Sequence, residues 1–323
     1  MAETALHRTS HRVDITASAG VVYGLVADAV RWPLFLAPTV HVEPLDLEGA
    51  DQRLRLWALA HGEVTSWVTR RTLDPAARRI DFRQEIPAPP AQGVSGSWVV
   101  EELREGSSRL TLHYVLPVPE ERTTGATWLE LAGEAELRAL LENVKHLAER
   151  WTTLDELVVA VEDTLRVDGP AELAYDFLYR MDNWPGQLPW LTRLDLVEET
   201  PGIQRVRMDM VTDSGRTHTT EAVRVCFPHS GRIVYKLTES SAATAAQAGE
   251  WSVEPDTTGL TVVARHQAVL SRRYGTDATG AADTDPTAVH RRVRQVLSRD
   301  STAILRLAGR YAQGAVRRIA PKS

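Results

Sequence analysis

Cysteine and long apolar segments are scarce in this sequence. Cys226 is the only cysteine among 323 residues, so the chain can form neither an internal disulfide nor a metal site built from several thiolates. A single cysteine is usual in a reducing compartment, and we expect a cytoplasmic protein. No segment reaches the roughly 20 apolar residues of a membrane helix, and the N-terminal residues lack the apolar centre of a signal peptide. We therefore expect neither secretion nor a membrane partner.

Positive charge is also in deficit. The 37 Lys and Arg residues against 43 Asp and Glu residues give a net charge of -6 at pH 7. Nucleic-acid binding depends on clustered basic residues, so no nucleic-acid partner is expected. The hydrophobic share of 43% and the charged share of 25% are those of a globular protein. The length favours two domains, each large enough to bury its own core.

The two halves of the chain resemble each other at an almost constant spacing. The first aligned block superimposes the Trp-Pro pair at 32–33 on the pair at 184–185, at a shift of 152. Two later blocks align at a shift of 153 and match Arg71 with Arg224. Three blocks in one order predict a duplicated domain, with copies at 1–158 and 159–323. The aligned blocks are 13–33 with 165–185, 71–82 with 224–235, and 96–101 with 249–254.

Each copy begins with the pattern of a strand, a short helix and a run of strands. In the first copy a strand is predicted at 8–16 and a helix at 18–31, with Ser18 as its N-cap and Pro33 as its end. Several short segments between 39 and 117 alternate or are rich in β-branched residues, and turn residues separate them. These segments predict an antiparallel meander.

Each copy ends with a long amphipathic helix, predicted at 133–158 and at 287–316 from apolar residues spaced by three and four. The apolar stripe of such a helix and one face of a curved sheet can bury each other. We therefore predict an α+β fold of two tandem domains. In each, a curved antiparallel sheet wraps around the long C-terminal helix and leaves a cavity between them.

This order of elements resembles the helix-grip fold of the START and Bet v1 superfamily. Within it, the doubled domain, the Trp32-Pro33 pair and the strand segment 66–71 (SWVTRR) resemble the two-domain aromatase/cyclases of bacterial type II polyketide synthases. The resemblance covers nearly the whole chain. It implies a cofactor-independent actinobacterial enzyme that acts on a poly-β-ketone carried by an acyl carrier protein. It further implies that the enzyme closes the first ring, between carbons 7 and 12 of a chain reduced at carbon 9, and aromatises it by dehydration. The ketosynthase and ketoreductase of the synthase are implied partners.

Strand alternation puts Trp67, Thr69 and Arg71 on one face of the predicted strand. Arg71 matches the pocket arginine of the resembling family and is repeated as Arg224. Aldol closure develops negative charge on ketone oxygens, which a fixed guanidinium can stabilise. We expect Arg71 and Thr69 to belong to the catalytic site.

A histidine is the expected proton shuttle. His113 falls on His266 at a shift of 153, and each follows its arginine by 42 residues. Imidazole can take a proton from the methylene between two carbonyls and return one when hydroxide leaves as water. The resemblance adds Asn143, on the long helix, as a polar pocket residue.

Tryptophans are concentrated in the first copy, where flat side chains could hold a polyketone in one folded shape. Trp67 and Trp32 are the foremost candidates for substrate contact, followed by Trp57 and Trp98. The second copy has Thr220 and Ala222 where the first has Trp67 and Thr69. We expect the first domain to be catalytic. The second is then structural or a second, weaker site containing Arg224, His266 and Trp251.

Two other functions fit parts of this pattern. A helix-grip cavity can carry a hydrophobic ligand without transforming it, and a module of the co-chaperone type would expose an apolar patch instead of enclosing a cavity.

The sequence has no P-loop, no Gly-rich dinucleotide fingerprint, no H-E-x-x-H and no G-x-S-x-G motif. We expect acid-base and electrostatic catalysis without a cofactor or metal, and one chain that forms a pseudo-dimer.

Overall fold

The computed structural model describes residues 4–60, 62–86, 93–119, 126–212, 215–240, 243–257, 259–271 and 286–319. The chain divides into two compact units, Met1–Leu154 and Asp155–Ser323. Both units share the order strand, helix, six strands and long helix, and the first unit has two further short helices. None of the helices within the described ranges has the length and apolar character needed to cross a membrane.

The first unit contains a seven-stranded antiparallel sheet with the strand order β1-β7-β6-β5-β4-β3-β2. Strands β2 to β7 each pair with the next strand in the chain, whereas β1 pairs with the last strand, β7. The helices are α1 (Ala19–Ala27), α2 (Trp32–Phe35), α3 (Ala126–Ala148) and, at the junction between the units, α4 (Trp151–Leu157). The strands are β1 (Thr4–Ile15), β2 (Thr39–Glu48), β3 (Asp51–Ala60), β4 (Glu63–Asp74), β5 (Arg79–Ile86), β6 (Ser95–Arg104) and β7 (Ser107–Pro119).

The second unit repeats this sheet with the order β8-β14-β13-β12-β11-β10-β9. Its helices are α5 (Ala171–Tyr179) and α6 (Pro286–Ile319). The strands are β8 (Val158–Val167), β9 (Leu191–Thr200), β10 (Ile203–Val211), β11 (Thr217–Phe227), β12 (Arg232–Glu239), β13 (Thr244–Asp256) and β14 (Gly259–Leu270).

In each unit the long helix packs against one face of the sheet, which we call the inner face. In the second unit, Leu305 and Ala308 of α6 lie in one buried cluster with Val262 and Cys226 of the sheet. Asp163 of β8 also accepts hydrogen bonds from Ser298 and Ser301 of α6. Apolar packing and this polar contact together fix the helix over the sheet.

The first unit has the same kind of core. Leu141 and Val144 of α3 pack with Leu110 and Leu112 of β7 and with Trp98 of β6. The alternation of the last strand accounts for this, because Leu110 and Leu112 stand two residues apart and point the same way.

The predicted fold class is confirmed, and the differences concern helix ends. The Ser18 hydroxyl accepts a hydrogen bond from the Val21 amide at 3.4 Å and caps α1. The helix predicted at 18–31 ends at Ala27, however, and a 3-10 turn and α2 follow it. Pro33 lies in the first turn of α2, where proline is tolerated because the amide there needs no partner.

The helix predicted at 133–158 is two helices, α3 and α4, followed at Val158 by the first strand of the second unit. The apolar residues from 157 to 161 continue the helical stripe in sequence, but the β-branched valines among them belong to β8. The helix predicted at 287–316 is α6, three residues longer at its C-terminal end.

Matched valine truncations test where the core of the second unit lies. Val262 is fully buried in β14, whereas Val197 in β9 is 51% exposed. Val262→Ala removes two methyl groups from a packed site and should lower the free energy of unfolding by about 2 kcal/mol. Val197→Ala makes the same chemical change in a strand and should lower it by less than half as much. Urea denaturation measures both, and equal losses would contradict the packing described above.

Candidate active site

A cavity of about 410 Å³ lies in the second unit between the inner face of the sheet and α6. Its walls are mostly apolar, and Arg224, Tyr235, Gln247 and His266 bring polar groups into it. Exposed arginines at 216, 292 and 299 also line it, which marks the side that opens to solvent. Apolar lining residues include Trp184, Met208, Trp251, Val293 and Ile304.

Arg224 lines this cavity and is buried. Its guanidinium donates to the Gln204 side chain at 2.6 Å and to the Leu178 and Tyr179 carbonyls at 2.6 and 3.3 Å. These carbonyls are at the C-terminal end of α5, where they have no partner within the helix. Burial lowers the pKa of Arg224, while the phenol of Tyr175 opposes that shift. The arginine therefore ties the helix end to the sheet.

Arg71 makes the same contacts in the first unit. Its guanidinium donates to Gln52 at 2.8 Å, to the Val26 carbonyl at 3.2 Å and to the Ala27 carbonyl. Burial lowers the pKa of Arg71 to about 10, so it stays charged at neutral pH. It points inward as expected, with Trp32 against its guanidinium at 5.6 Å. Because three donors of Arg71 bind protein acceptors, its removal would disturb the fold as well as any substrate contact.

His266 lies on the cavity wall in β14, next to two aromatic side chains. Its Nδ1 is 2.7 Å from the Tyr235 hydroxyl, and the Trp251 ring meets the imidazole edge-on at 4.9 Å. The Gln247 amide donates to the same hydroxyl at 3.2 Å. Burial lowers the pKa of His266 to about 4, against an opposing effect of Asp163. The imidazole is therefore neutral at physiological pH.

His113 is not the counterpart of His266. In β7 the buried Leu110 and Leu112 point inward, so His113 lies on the exposed outer face. Gly96 pairs with Tyr114 in the first unit, and Gly249 pairs with His266 in the second. The sequence-based pairing of His113 with His266 is wrong by one residue, and a slip of one residue moves a side chain to the opposite face. Tyr114 occupies the inner position, and burial raises its pKa.

The four tryptophans predicted to contact substrate do not all lie on the same face of the sheet. Trp98 is buried on the inner face, and the indole of Trp32 donates to the Leu25 carbonyl at 3.2 Å. Trp67 packs with Trp32 beside the buried leucines of β3. Trp57 alternates with those leucines, so it lies on the opposite face, where its ring is 5.3 Å from that of His41.

Thr69 and Asn143 are the remaining predicted residues of the first unit. Thr69 is buried, and its hydroxyl donates to the Arg83 carbonyl of the neighbouring strand at 3.0 Å. Asn143 is half-buried on α3 beside the buried Val144. In the second unit the structure brings the three predicted residues Arg224, Trp251 and His266 together around one cavity.

The sequence analysis missed Tyr235, Gln247 and Tyr114. The alternation of Leu110 and Leu112 could have identified Tyr114 as inward-pointing, because it stands two residues further on. Tyr235 and Gln247 left no such signal, since their roles depend on contacts between three strands. Within the described ranges, no group of three or more His, Cys, Asp or Glu side chains is placed to hold a metal ion.

Comparison with known proteins places this architecture in a family. Residues 7–149 match the family model described as polyketide cyclase/dehydrase and lipid transport. The granaticin polyketide synthase bifunctional cyclase/dehydratase of Streptomyces violaceoruber is 34% identical over 313 residues, which are 96% of this chain and 95% of that protein. The chain belongs to the family of bifunctional polyketide cyclase/dehydratases. The actinorhodin counterpart from Streptomyces coelicolor is 35% identical and covers 97% of this chain and 99% of its own length.

Two solved structures of di-domain family members share the fold. The di-domain ARO/CYC StfQ from the steffimycin biosynthetic pathway has a TM-score of 0.84 and 32% identity, covering 96% of this chain and 99% of its own. BexL from the BE-7585A pathway has the same TM-score and 36% identity, covering 95% and 98%. The tandem helix-grip architecture is thus that of the di-domain aromatase/cyclases.

The depressed pKa of His266 makes the stability of this cyclase/dehydratase depend on pH. The folded protein holds His266 neutral down to about pH 4, whereas a histidine in the unfolded chain takes up its proton near pH 6.5. The unfolded state therefore binds more protons between these values, and stability falls as the pH falls. The contribution of His266 should decrease by about 2 kcal/mol between pH 7 and pH 5.

Urea unfolding at both pH values measures this effect. His266→Gln should show a weaker pH dependence than the unchanged protein by that amount. His113→Gln alters an exposed histidine and should keep the original dependence. Identical pH dependence in His266→Gln and the unchanged protein would show that His266 is not held neutral by burial.

Proposed function

We propose that this protein closes the first ring of a carrier-bound poly-β-ketone by aldol condensation and aromatises it by removing water. The ring is the one between carbons 7 and 12, in a chain reduced at carbon 9. The observation that carries the proposal is the neutral imidazole of His266 on the wall of an apolar cavity. Kinship with bifunctional cyclase/dehydratases along nearly the whole chain supports it.

The chemistry needs a series of proton transfers and no redox change. A methylene between two carbonyls loses a proton, its carbon attacks a ketone carbonyl, and the resulting alkoxide takes up a proton. The new hydroxyl group then leaves with a ring proton as one water, and the hydroxyl group on carbon 9 leaves with a neighbouring proton as a second water. Enolisation of the remaining ring ketone completes the aromatic ring. Charge develops on ketone and alkoxide oxygens in both steps, so a fixed N–H donor in a dry cavity lowers the barriers. His266 is the group that we assign to this role.

The apolar walls of the cavity orient the polyketone. A flexible polyketone has many folded shapes, and only some bring the reacting carbons together. The aromatic rings of Trp184 and Trp251 meet edge-on at 6.4 Å, so they give the cavity two rigid aromatic surfaces at a steep angle to each other. Exclusion of water also strengthens the hydrogen bonds made inside.

We assign chain positioning to the first unit. Its inner face presents Trp67, Thr69 and Arg71, as the sequence analysis expected, and Tyr114 replaces the imidazole. A phenol whose pKa is raised can donate a hydrogen bond but does not exchange protons readily at neutral pH. The neutral imidazole of the second unit has no counterpart in the first, so hydrogen-bond donation to the reacting oxygens is assigned to the second unit, opposite to the division expected from sequence.

The charge of α6 supports delivery of the substrate by an acidic carrier protein. This helix contains eight arginines and one acidic residue, Asp300, in a chain whose net charge is -6. Arg291, Arg294 and Arg306 are exposed along one side of it. Arg299 belongs both to that side and to the cavity lining, so the basic surface adjoins the opening. Complementary charge speeds the encounter of such partners.

A product profile tests the proposed reaction. A minimal polyketide synthase with its ketoreductase would be run with no addition, with this protein, and with its His266→Gln and His113→Gln variants, and products analysed by liquid chromatography and mass spectrometry. The unchanged protein and His113→Gln should yield a product whose first ring has lost water. His266→Gln should lower its yield about 100-fold, the usual size of the loss when one donor to a developing oxyanion is removed. Coincident profiles in all four reactions would instead indicate a carrier of hydrophobic ligands.

Charge reversal on α6 tests the carrier contact. The double variant Arg291→Glu, Arg294→Glu should raise KM for the carrier-bound substrate about tenfold at low salt, because rim charges set the encounter rate. The difference should shrink as salt screens the charges. Turnover of an untethered thioester analogue should not change. The control Arg55→Glu, Arg104→Glu reverses two exposed arginines of the first unit, and an equal effect there would refute the contact at α6.

A further inference from the structure

Three side chains of the second unit form a hydrogen-bonded row across adjacent strands. Gln247 on β13 contacts the hydroxyl of Tyr235 on β12, and that hydroxyl contacts Nδ1 of His266 on β14. All three line the cavity. The row therefore connects the side chain assigned as the N–H donor with two residues that no motif predicted.

Gly249 makes the row possible. It pairs with Tyr235 on one side and with His266 on the other, so it lies directly between them on β13. A Cβ atom at this position would stand 2.7 Å from both His266 Nδ1 and Tyr235 Cε1, and 2.5 Å from the Arg265 carbonyl. Any side chain at 249 would push the ring and the imidazole apart. Because glycine has no side chain, the Tyr235 ring and the His266 imidazole can approach each other across β13.

The hydrogen bonds in the row have one consistent direction. Burial raises the pKa of Tyr235 to about 12, so its hydroxyl keeps its proton at neutral pH. The Gln247 amide donates to the phenol oxygen, which leaves the phenol proton for His266 Nδ1. A neutral imidazole that accepts at Nδ1 must carry its proton on Nε2.

We propose that Tyr235, held by Gln247, is a positioning residue that fixes His266 as the tautomer with its proton on Nε2, so that the cavity offers an N–H donor to a ketone or enolate oxygen. This inference rests on the proposed function and deepens it. Among the described residues, the structure gives Nε2 no hydrogen-bond partner. That atom is the one left to meet a ligand.

The first unit provides an internal comparison. Gly96 occupies the position of Gly249, and Phe82 occupies that of Tyr235, with its ring 2.8 Å from where a Cβ of Gly96 would lie. Phe82 has no hydroxyl, so Tyr114 receives no corresponding hydrogen bond from it. The same glycine beside an aromatic ring of the neighbouring strand therefore exists in the first unit without the polar row.

Nitrogen-15 NMR of histidine-labelled protein tests the tautomer directly. The His266 signals would be assigned as those that disappear in His266→Gln. In the unchanged protein they should show a protonated Nε2 and an unprotonated Nδ1. Tyr235→Phe removes one oxygen atom and should convert this spectrum to a mixture of both tautomers. Tyr175→Phe is the matched control, because the buried Tyr175 hydroxyl has no hydrogen-bond partner in the described structure, and it should leave the His266 signals unchanged.

Kinetics separate positioning from folding. Tyr235→Phe should lower kcat about tenfold with little change in KM, since an oriented donor matters most for the transition state. Gly249→Ala should give the same mixed tautomers. A proton on Nδ1 in the unchanged protein, or an unaltered tautomer in Tyr235→Phe, would overturn the inference. If the tautomers behave as expected while His266→Gln retains the full product yield, the positioning stands and the proposed function fails.

Discussion

A buried guanidinium fixes the geometry of each unit. Arg224 cannot be left without acceptors once it is removed from water, and the carbonyls at the end of α5 together with Gln204 supply them. Trp184 adds a second attachment, because its indole donates to the Phe177 carbonyl at 3.1 Å, about one turn from the helix end. The end of the helix is thus held at two points, by Arg224 of the sheet and by Trp184 of the segment between α5 and β9. These contacts therefore fix the shape of the cavity beside Arg224 and Trp184.

The two units keep this framework and differ in the chemistry they present. Both have an arginine bound to a glutamine and to helix carbonyls, a tryptophan bound to the same helix, and a glycine that lets two aromatic side chains approach. Where the second unit has Tyr235 and His266, the first has Phe82 and Tyr114. The second unit therefore has an imidazole that a tyrosine hydroxyl holds in position. The first unit has a phenol at the same place, and no hydroxyl of the neighbouring strand holds it. Duplication followed by such local change can give one chain two inner faces with different chemistry.

Much of this fold could be predicted from the sequence, because it follows from local patterns. The repeat, the alternation in the strands and the periodicity of α6 each depend on residues close together in the chain. The division of the predicted helix at 133–158 was missed because Val158 and its neighbours satisfy the helical period as well as the strand period.

The site was less predictable, because it depends on register between strands. Trp98 and Trp251 align at a shift of 153, but Leu112 and Ala264, which pair with them, align at 152. One residue fewer in the second hairpin was enough to misplace His113. The inward direction of Arg71 was predictable from alternation. Its binding to the Val26 and Ala27 carbonyls was not, since that contact joins segments about 45 residues apart in sequence.

The single cysteine gives the second unit a built-in chemical reporter. Cys226 is buried in the core of that unit, and burial raises the pKa of its thiol to about 11, so almost no reactive thiolate exists in the folded state. A thiol reagent can modify the chain only when β11 separates from its packing. The first unit has no thiol, so it does not react with such a reagent. The rate at which Cys226 is modified therefore reports how often the second unit alone opens.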